Sequence, residues 1–406
     1  MMKSTKSILM LGIGDIGLNQ IKWAKKSGFN TIVTDKEENA SSFKYADQSI
    51  VSDATNSKKI VSKILDKNLD KNLSAVYTGN DFGIVSTAII SNLFNIEGCS
   101  VNSAISSIDK VLMKKKWISD SIPTPLCHFI DPKEKSKFIN KKFPIIIKPS
   151  SSSGSQGVSI VLSKGDYELA FNEAIKYSQG NQILIEEMVN GEHIDANGIF
   201  WNNKFFPCGT ARRFFSLPPY TVPISGHEPA GIEPLIEKKL FKIFEKAGRS
   251  LGLNNTPVKA DFIISNGDPK IIELSARFHG DLGLSHNSFY RTGLSPAIIY
   301  YEMLMTKRLP IKKLDLFLKN KRYSAWNVLD LAPGNIINLN EAIITAKKSV
   351  NVDNVFIDPR KGSLFKELKN NNDVNGFVWA SGKNLNEIKC RLNQFKTCLQ
   401  ELVKYD

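Results

Sequence analysis

Residues 259–281 constrain the fold more tightly than any other stretch of this 406-residue chain. Two β-branched, apolar segments flank Asn266-Gly267-Asp268, a combination that marks a β-hairpin turn. A three-residue loop over Asn266–Asp268 pairs Ser265 with Pro269 and brings Asp261 opposite Glu273. The period of two then keeps Glu273, Ser275 and Arg277 on the face of Asp261 and puts Leu274 and Ala276 on the other. A two-residue loop shifts the register by one and separates the acids. Two carboxylates facing each other across a sheet repel, so a hard divalent cation held by oxygen ligands gives the three-residue loop its chemical sense. Arg277, one strand step further on, offers a fixed bidentate fork for a phosphate or an oxyanion. An exposed hairpin bearing an Asp/Glu/Arg surface network remains open on these residues alone.

The first 107 residues carry a second strong pattern. Ser7 to Leu11 reads as a buried strand, Gly12-x-Gly14-x-x-Gly17 as the turn into a helix over about 16–27, and Asn30 to Thr34 as the next strand, ending at Asp35. This is the dinucleotide fingerprint in a strand–turn–helix setting. It leaves open an NAD-linked oxidoreductase or a Rossmann-like domain whose glycines approach another ligand. Further strands are predicted at 48–51 and 74–78, the latter leading through Asn80-Asp81 into a helix.

Downstream, Phe143 to Pro149 reads as an Ile-rich strand with Lys148 near its end, followed by the Ser/Gly loop 150–158. A lysine point charge beside a loop with free backbone N–H groups suits phosphate. It is not a Walker loop, because the lysine precedes the glycines and no helix follows. An apolar strand at 182–185 leads into Glu186-Glu187-Met188-Val189-Asn190-Gly191-Glu192, read as an edge strand, a hinge and a return strand. Ser216 to His227, rich in proline, reads as a long active-site loop.

Composition narrows the class. The net charge of +14 invites a nucleic-acid partner, but the lysines are spread over the whole length without a dense basic run or interleaved aromatics. The expectation is a solvated surface and no nucleic acid. No apolar run approaches the roughly 18 residues of a membrane helix, so no membrane association is expected. Five scattered cysteines without metal spacing read as reduced thiols, and the cytoplasm as the location.

Taken in order, Asp109-Lys110, Ile147-Lys148 with its loop, Leu184 to Glu192, Asp261 and Glu273-x-Ser275-x-Arg277 resemble the ATP-grasp superfamily of carboxylate–amine ligases. The likeness is to its biotin-carboxylase-like and amino-acid-ligase branches and covers roughly residues 5–310. The resemblance implies an α/β and α+β architecture. A Rossmann-like domain would occupy 1–107 and an ATP-grasp domain of two α+β subdomains 108–310, with ATP between about 108–180 and 181–310. A small C-terminal α+β domain would close the site over 311–406.

It further implies an ADP-forming ligase that activates a carboxylate as an acyl phosphate and joins it to an amine, using ATP and Mg2+ or Mn2+. A bicarbonate-activating or purine-pathway enzyme, or a non-catalytic nucleotide binder, stands as the alternative. Lys110 and Lys148 would contact the phosphates under the loop carrying Ser151, Ser153, Gly154 and Gly157. Glu186, Glu187, Met188 and Val189 would meet the adenine and Glu192 the ribose. Asp261, Glu273 and Ser275 would hold metal. Serine stands where the family usually has asparagine, which implies a second ion held weakly or through water. Arg277 and Lys148 would act in catalysis. Gly14, Asp15, Arg212, Arg213, His279 and Asp281 would face the small-molecule carboxylate and amine, and a homodimer stays open.

Overall fold

The computed structural model describes residues 6–134, 143–152, 154–178, 182–218, 220–280 and 286–406. Ser153 and Asp281 lie outside the described residues. The N-terminal part is a parallel four-stranded sheet in the order Gln48–Val51, Asn30–Asp35, Ser7–Leu11, Leu73–Thr78. Ser7–Leu11 is buried along its whole length, as a parallel strand covered on both faces must be. Helices Leu18–Lys26, Ser57–Asp66 and Ile84–Leu93 complete the βα units. Gly12 and Gly14 both adopt positive φ in the first turn, which glycine does without the steric cost of a Cβ.

Asp109 then starts a new helix, Lys110–Ser119, by accepting hydrogen bonds from the Val111 and Leu112 amides. That cap fixes Lys110 in the first turn and Lys114 one turn later on the same face, and both are buried. A second, antiparallel four-stranded sheet follows in the order Cys127–Ile130, Ile183–Glu187, Ile145–Pro149, Ser159–Val161.

The third sheet has eight strands, all antiparallel. Its order is Asp268–Ser275, Thr256–Ser265, Glu192–Trp201, Lys204–Phe215, Pro223–Glu228, Tyr323–Val328, Gly376–Gly382, Asn354–Ile357. The sheet runs across position 310 without a break, so the three last strands, from the C-terminal quarter, extend the sheet that carries the hairpin. The second half of the proline-rich stretch 216–227 is therefore not loop: Pro223–Glu228 is a strand pairing with Lys204–Phe215 and Tyr323–Val328.

Alternation divides the hairpin end of this sheet into two faces. Ile194, Ala196, Ala260, Phe262 and Leu274 join Phe244 and Ala247 of helix Pro234–Ser250 in one core. Full burial of each large side chain there is worth about 1.5–3 kcal/mol. The opposite face carries Asp195, Asn197, Lys259, Asp261, Glu273 and Ser275.

The hairpin corrects the three-residue-loop expectation. Ser265 pairs with Asp268 and Ile264 with Pro269, so the loop is the two residues Asn266-Gly267, both at positive φ. A bulge between Asp261 and Phe262, with Ile272 as the extra residue, then restores the pairing of Asp261 with Glu273. The acids face each other as expected, for a different geometric reason.

Candidate active site

Pairing across three strands lines up two rows on the polar face. The first row is Asp195, Asp261 and Glu273; the second, two residues along each strand, is Asn197, Lys259 and Ser275. Three carboxylates in one row require cations, and the structure supplies them. Lys259 Nζ lies 3.3 Å from Asp261 and 3.2 Å from Glu273. Arg213 reaches Asp195 at 2.5 Å and Asp261 at 3.2 Å. Lys110 Nζ lies 3.5 Å from Glu273. His279 Nε2 lies 3.4 Å from Asp261, and its Nδ1 lies 3.7 Å from Asp195.

These neighbours set the protonation states. Burial alone pushes Asp261 up, but Lys259 and Arg213 outweigh it and hold the carboxyl well below the usual range. Asp195 is raised, because burial and the adjacent Asp261 charge exceed the pull of Arg213. Glu273 is lowered, with Lys110 and Lys259 overcoming its burial. Burial drives His279 well below its ordinary value, which leaves a neutral imidazole at physiological pH. Asp195, Asp261 and His279 place three metal-ligating atoms within 4.8 Å of one another. Of the expected metal residues, Asp261 and Glu273 meet at Lys259, and Ser275 is buried beside Lys259 in the second row.

A second cluster lies on the smaller sheet. Glu186, 1% exposed, receives Lys114 at 2.8 Å on one oxygen and Lys148 on the other. Burial would raise this acid, yet the two ammonium groups bring it down to about 2. Lys114, also hydrogen-bonded to Thr124, is lowered by burial against the pull of Glu186.

Lys110 joins the two clusters. Besides Glu273, its Nζ donates to Ser152 O at 2.6 Å, and its amide donates to Ser150 O at 2.9 Å. The loop is shaped by positive φ at Gly154, Ser155 and Gly157. A Cβ on Gly157 would come within 2.8 Å of Tyr177. Ser150 and Ser151 leave buried hydroxyls without partners beside Lys110 and Lys148. Unsatisfied hydroxyls next to two ammonium groups fit an anion with several acceptor oxygens.

Met188 and Val189 form the connection between strands Ile183–Glu187 and Glu192–Trp201. Glu187 is held by Lys270 at 2.8 Å and by the Leu126 amide at 3.1 Å. A Cβ on Gly191 would lie 2.3 Å from Ile264 O, so only glycine fits where this hinge crosses the hairpin. Glu192 pairs with Arg212 at 2.5 Å, and Arg212 also donates to Ala230 O. The two arginines thus diverge: Arg213 turns into the acid row and Arg212 turns outward to Glu192.

Arg277 is engaged by Asp81 of the N-terminal part. Its Nε and Nη2 donate to the two oxygens of Asp81 at 2.7 and 2.6 Å. Asp81, partly buried, is held well below the usual carboxylate range by Arg277, Lys259 and Lys110. The preceding Asn80 donates to Gly12 O at 2.7 Å, so the glycine turn, Asn80-Asp81 and Arg277 form a continuous path into the acid row. Asp15 accepts from Ser41 and lies 3.9 Å from Arg360 of the C-terminal part. His227 is lowered to about 4 by burial and bonds Pro229 O, which marks it as structural.

Asp81, Lys114, Asp195 and Lys259 join the candidate site without belonging to any of the sequence motifs. Alternation from Asp261 signals Lys259, and helical spacing from Lys110 signals Lys114. Nothing local signals Asp81.

Residues 107–281 match the ATP-grasp domain family. The chain is 30% identical over 198 residues to a formate-dependent phosphoribosylglycinamide formyltransferase of Prochlorococcus marinus, which covers 46% of this chain and 49% of that protein. It thus spans about half the length of that relative. It is 26% identical over 251 residues to a D-alanine–D-alanine ligase of Buchnera aphidicola, covering 58% and 79% of the two chains. The crystal structure of an L-amino acid ligase from Bacillus licheniformis superposes with a TM-score of 0.83 at 14% identity, covering 99% of each chain.

Proposed function

Residues 107–281 being an ATP-grasp domain, we propose that the protein is an ADP-forming ligase that joins a small carboxylic acid to an amine. One observation carries the reading: Lys110 touches both the Ser/Gly loop at Ser152 and the metal-side acid Glu273. A phosphate chain lying along that line meets Lys110 and Lys148, the unpartnered Ser150 and Ser151 hydroxyls, and the acid row in turn. Asp261 and Glu273 are the residues that would hold Mg2+ or Mn2+, which neutralises phosphoryl charge during transfer.

The carboxylate oxygen attacks the γ-phosphorus, the bond to the β-phosphate oxygen breaks, and ADP leaves. The amine then attacks the acyl carbon, phosphate leaves, and the amine loses a proton. Arg277, two residues past the end of strand Asp268–Ser275 and held by Asp81, would balance the negative charge of both steps. The glycine turn, Asp15 and Arg360 border the side from which the acid and amine would enter.

The relation to a formate-dependent enzyme favours a second reading in which the acid is formate and the amine is carried by a phosphoribosyl compound. An ADP-release screen against pooled acids and amines, with formate as a separate arm, tests both. ADP formation that requires an acid and an amine together supports the ligase. ATP bound with no ADP from any pool refutes it.

A further inference from the structure

We propose that Lys259 is a tethered cation occupying one of the two places that divalent ions could take on the Asp261–Glu273 pair, so that this site admits a single ion with the nucleotide. The inference rests on the ATP-binding reading above and concerns how many ions that reading requires.

Three observations converge on it. Lys259 Nζ sits between the two carboxylates, 3.2 Å from Glu273 Oε1 and 3.4 and 3.3 Å from the two oxygens of Asp261. Its side chain is only 7% exposed, and Asn197 and Ser275 flank it in the second row. An ammonium in that setting cannot leave for solvent without stranding a charge in the protein interior. The remaining oxygen of Glu273 faces Lys110, and the Asp261 oxygens also face Arg213 and His279.

Charge counting agrees. Around Asp261 and Glu273, with Asp195 beside them, already stand three cations, Lys110, Arg213 and Lys259. One divalent ion can enter with the polyanionic nucleotide, which draws Lys110 toward its phosphates. A second would stand directly against the Lys259 ammonium. The third observation is the serine: a short hydroxyl at Ser275 gives that second ion one weak ligand, where a longer amide would reach further.

The test is Mn2+ binding, followed by electron paramagnetic resonance and calorimetry, to the full chain saturated with the non-hydrolysable analogue AMP-PNP. The wild type is expected to bind one Mn2+ per chain. Lys259→Gln, which removes the charge at similar length, is expected to bind two, and Lys259→Arg is expected to remain at one. Two Mn2+ on the wild type or on Lys259→Arg would overturn the inference, whatever the fate of the glutamine variant. One Mn2+ on folded Lys259→Gln would overturn it as well. Failure of the wild type to bind AMP-PNP would instead remove the ATP-binding reading itself, and this inference with it.

Discussion

Removing the charge of Asp81 should loosen the N-terminal part from the eight-stranded sheet. Arg277 makes two hydrogen bonds to Asp81, with side chains 12% and 20% exposed. Neutralising one partner of a buried pair costs about 3–5 kcal/mol, whereas exposed pairs contribute about 0–1. The slight exposure places Asp81→Asn near the bottom of the buried range, at about 3 kcal/mol. Part of that loss is the penalty of leaving Arg277 uncompensated, so the interaction itself is isolated by a cycle of Asp81→Asn, Arg277→Met and the double variant. Urea unfolding followed by circular dichroism should give a coupling energy of about 2 kcal/mol. A coupling below about 0.5 kcal/mol would show that the bidentate contact does not join the N-terminal part to the sheet energetically, and the path from the glycine turn to the acid row would lose its physical basis.

Lys148→Met should weaken Mg-ATP binding by about tenfold to a hundredfold, the worth of a hydrogen bond to a charged group; unchanged affinity by calorimetry in the folded variant would remove Lys148 from the phosphate site. Glu186 should contribute to the acid limb of stability, beside Asp261 and Asp81. Its carboxyl is lowered from the ordinary 4.5 to about 2, so the folded state binds fewer protons than the unfolded chain across that window. The stabilisation, about 3 kcal/mol, is complete above pH 4.5 and is lost as pH falls toward 2. Urea midpoints measured from pH 5 to pH 2 should fall in the wild type and fall less steeply in Glu186→Gln.

Local chemistry was legible in the sequence where one element carried it. The Gly12 to Gly17 turn and Lys148 near the end of an Ile-rich strand each follow from short-range patterns. The pairing of Asp261 with Glu273 was legible for a subtler reason. The expected oxygen-held divalent cation placed the two acids opposite each other, and that pairing held although the loop has two residues and Ile272 absorbs the difference as a bulge; the cations seen against the acids are Lys259, Arg213 and Lys110. A bulge leaves no mark in hydrophobic alternation, so the loop length was misread. Asp195 and Asp81 escaped because their partners are 66 and 196 residues away, at Asp261 and Arg277. The same holds for the last three strands of the large sheet, whose continuity across position 310 depends on the pairing of Pro223–Glu228 with Tyr323–Val328.

The central claim is that a carboxylate becomes an acyl phosphate in front of Arg277 and the acid row. Hydroxylamine tests it most directly, because it intercepts an acyl phosphate as a stable hydroxamate. Incubated with ATP, Mg2+, the acid identified by ADP release and hydroxylamine in place of the amine, the protein should produce hydroxamate and ADP in equal amounts. Arg277→Ala should lower that rate by about a hundredfold, the cost of one lost oxyanion donor, with little change in ATP affinity. Release of AMP and pyrophosphate, or ADP formed without hydroxamate, would contradict the account.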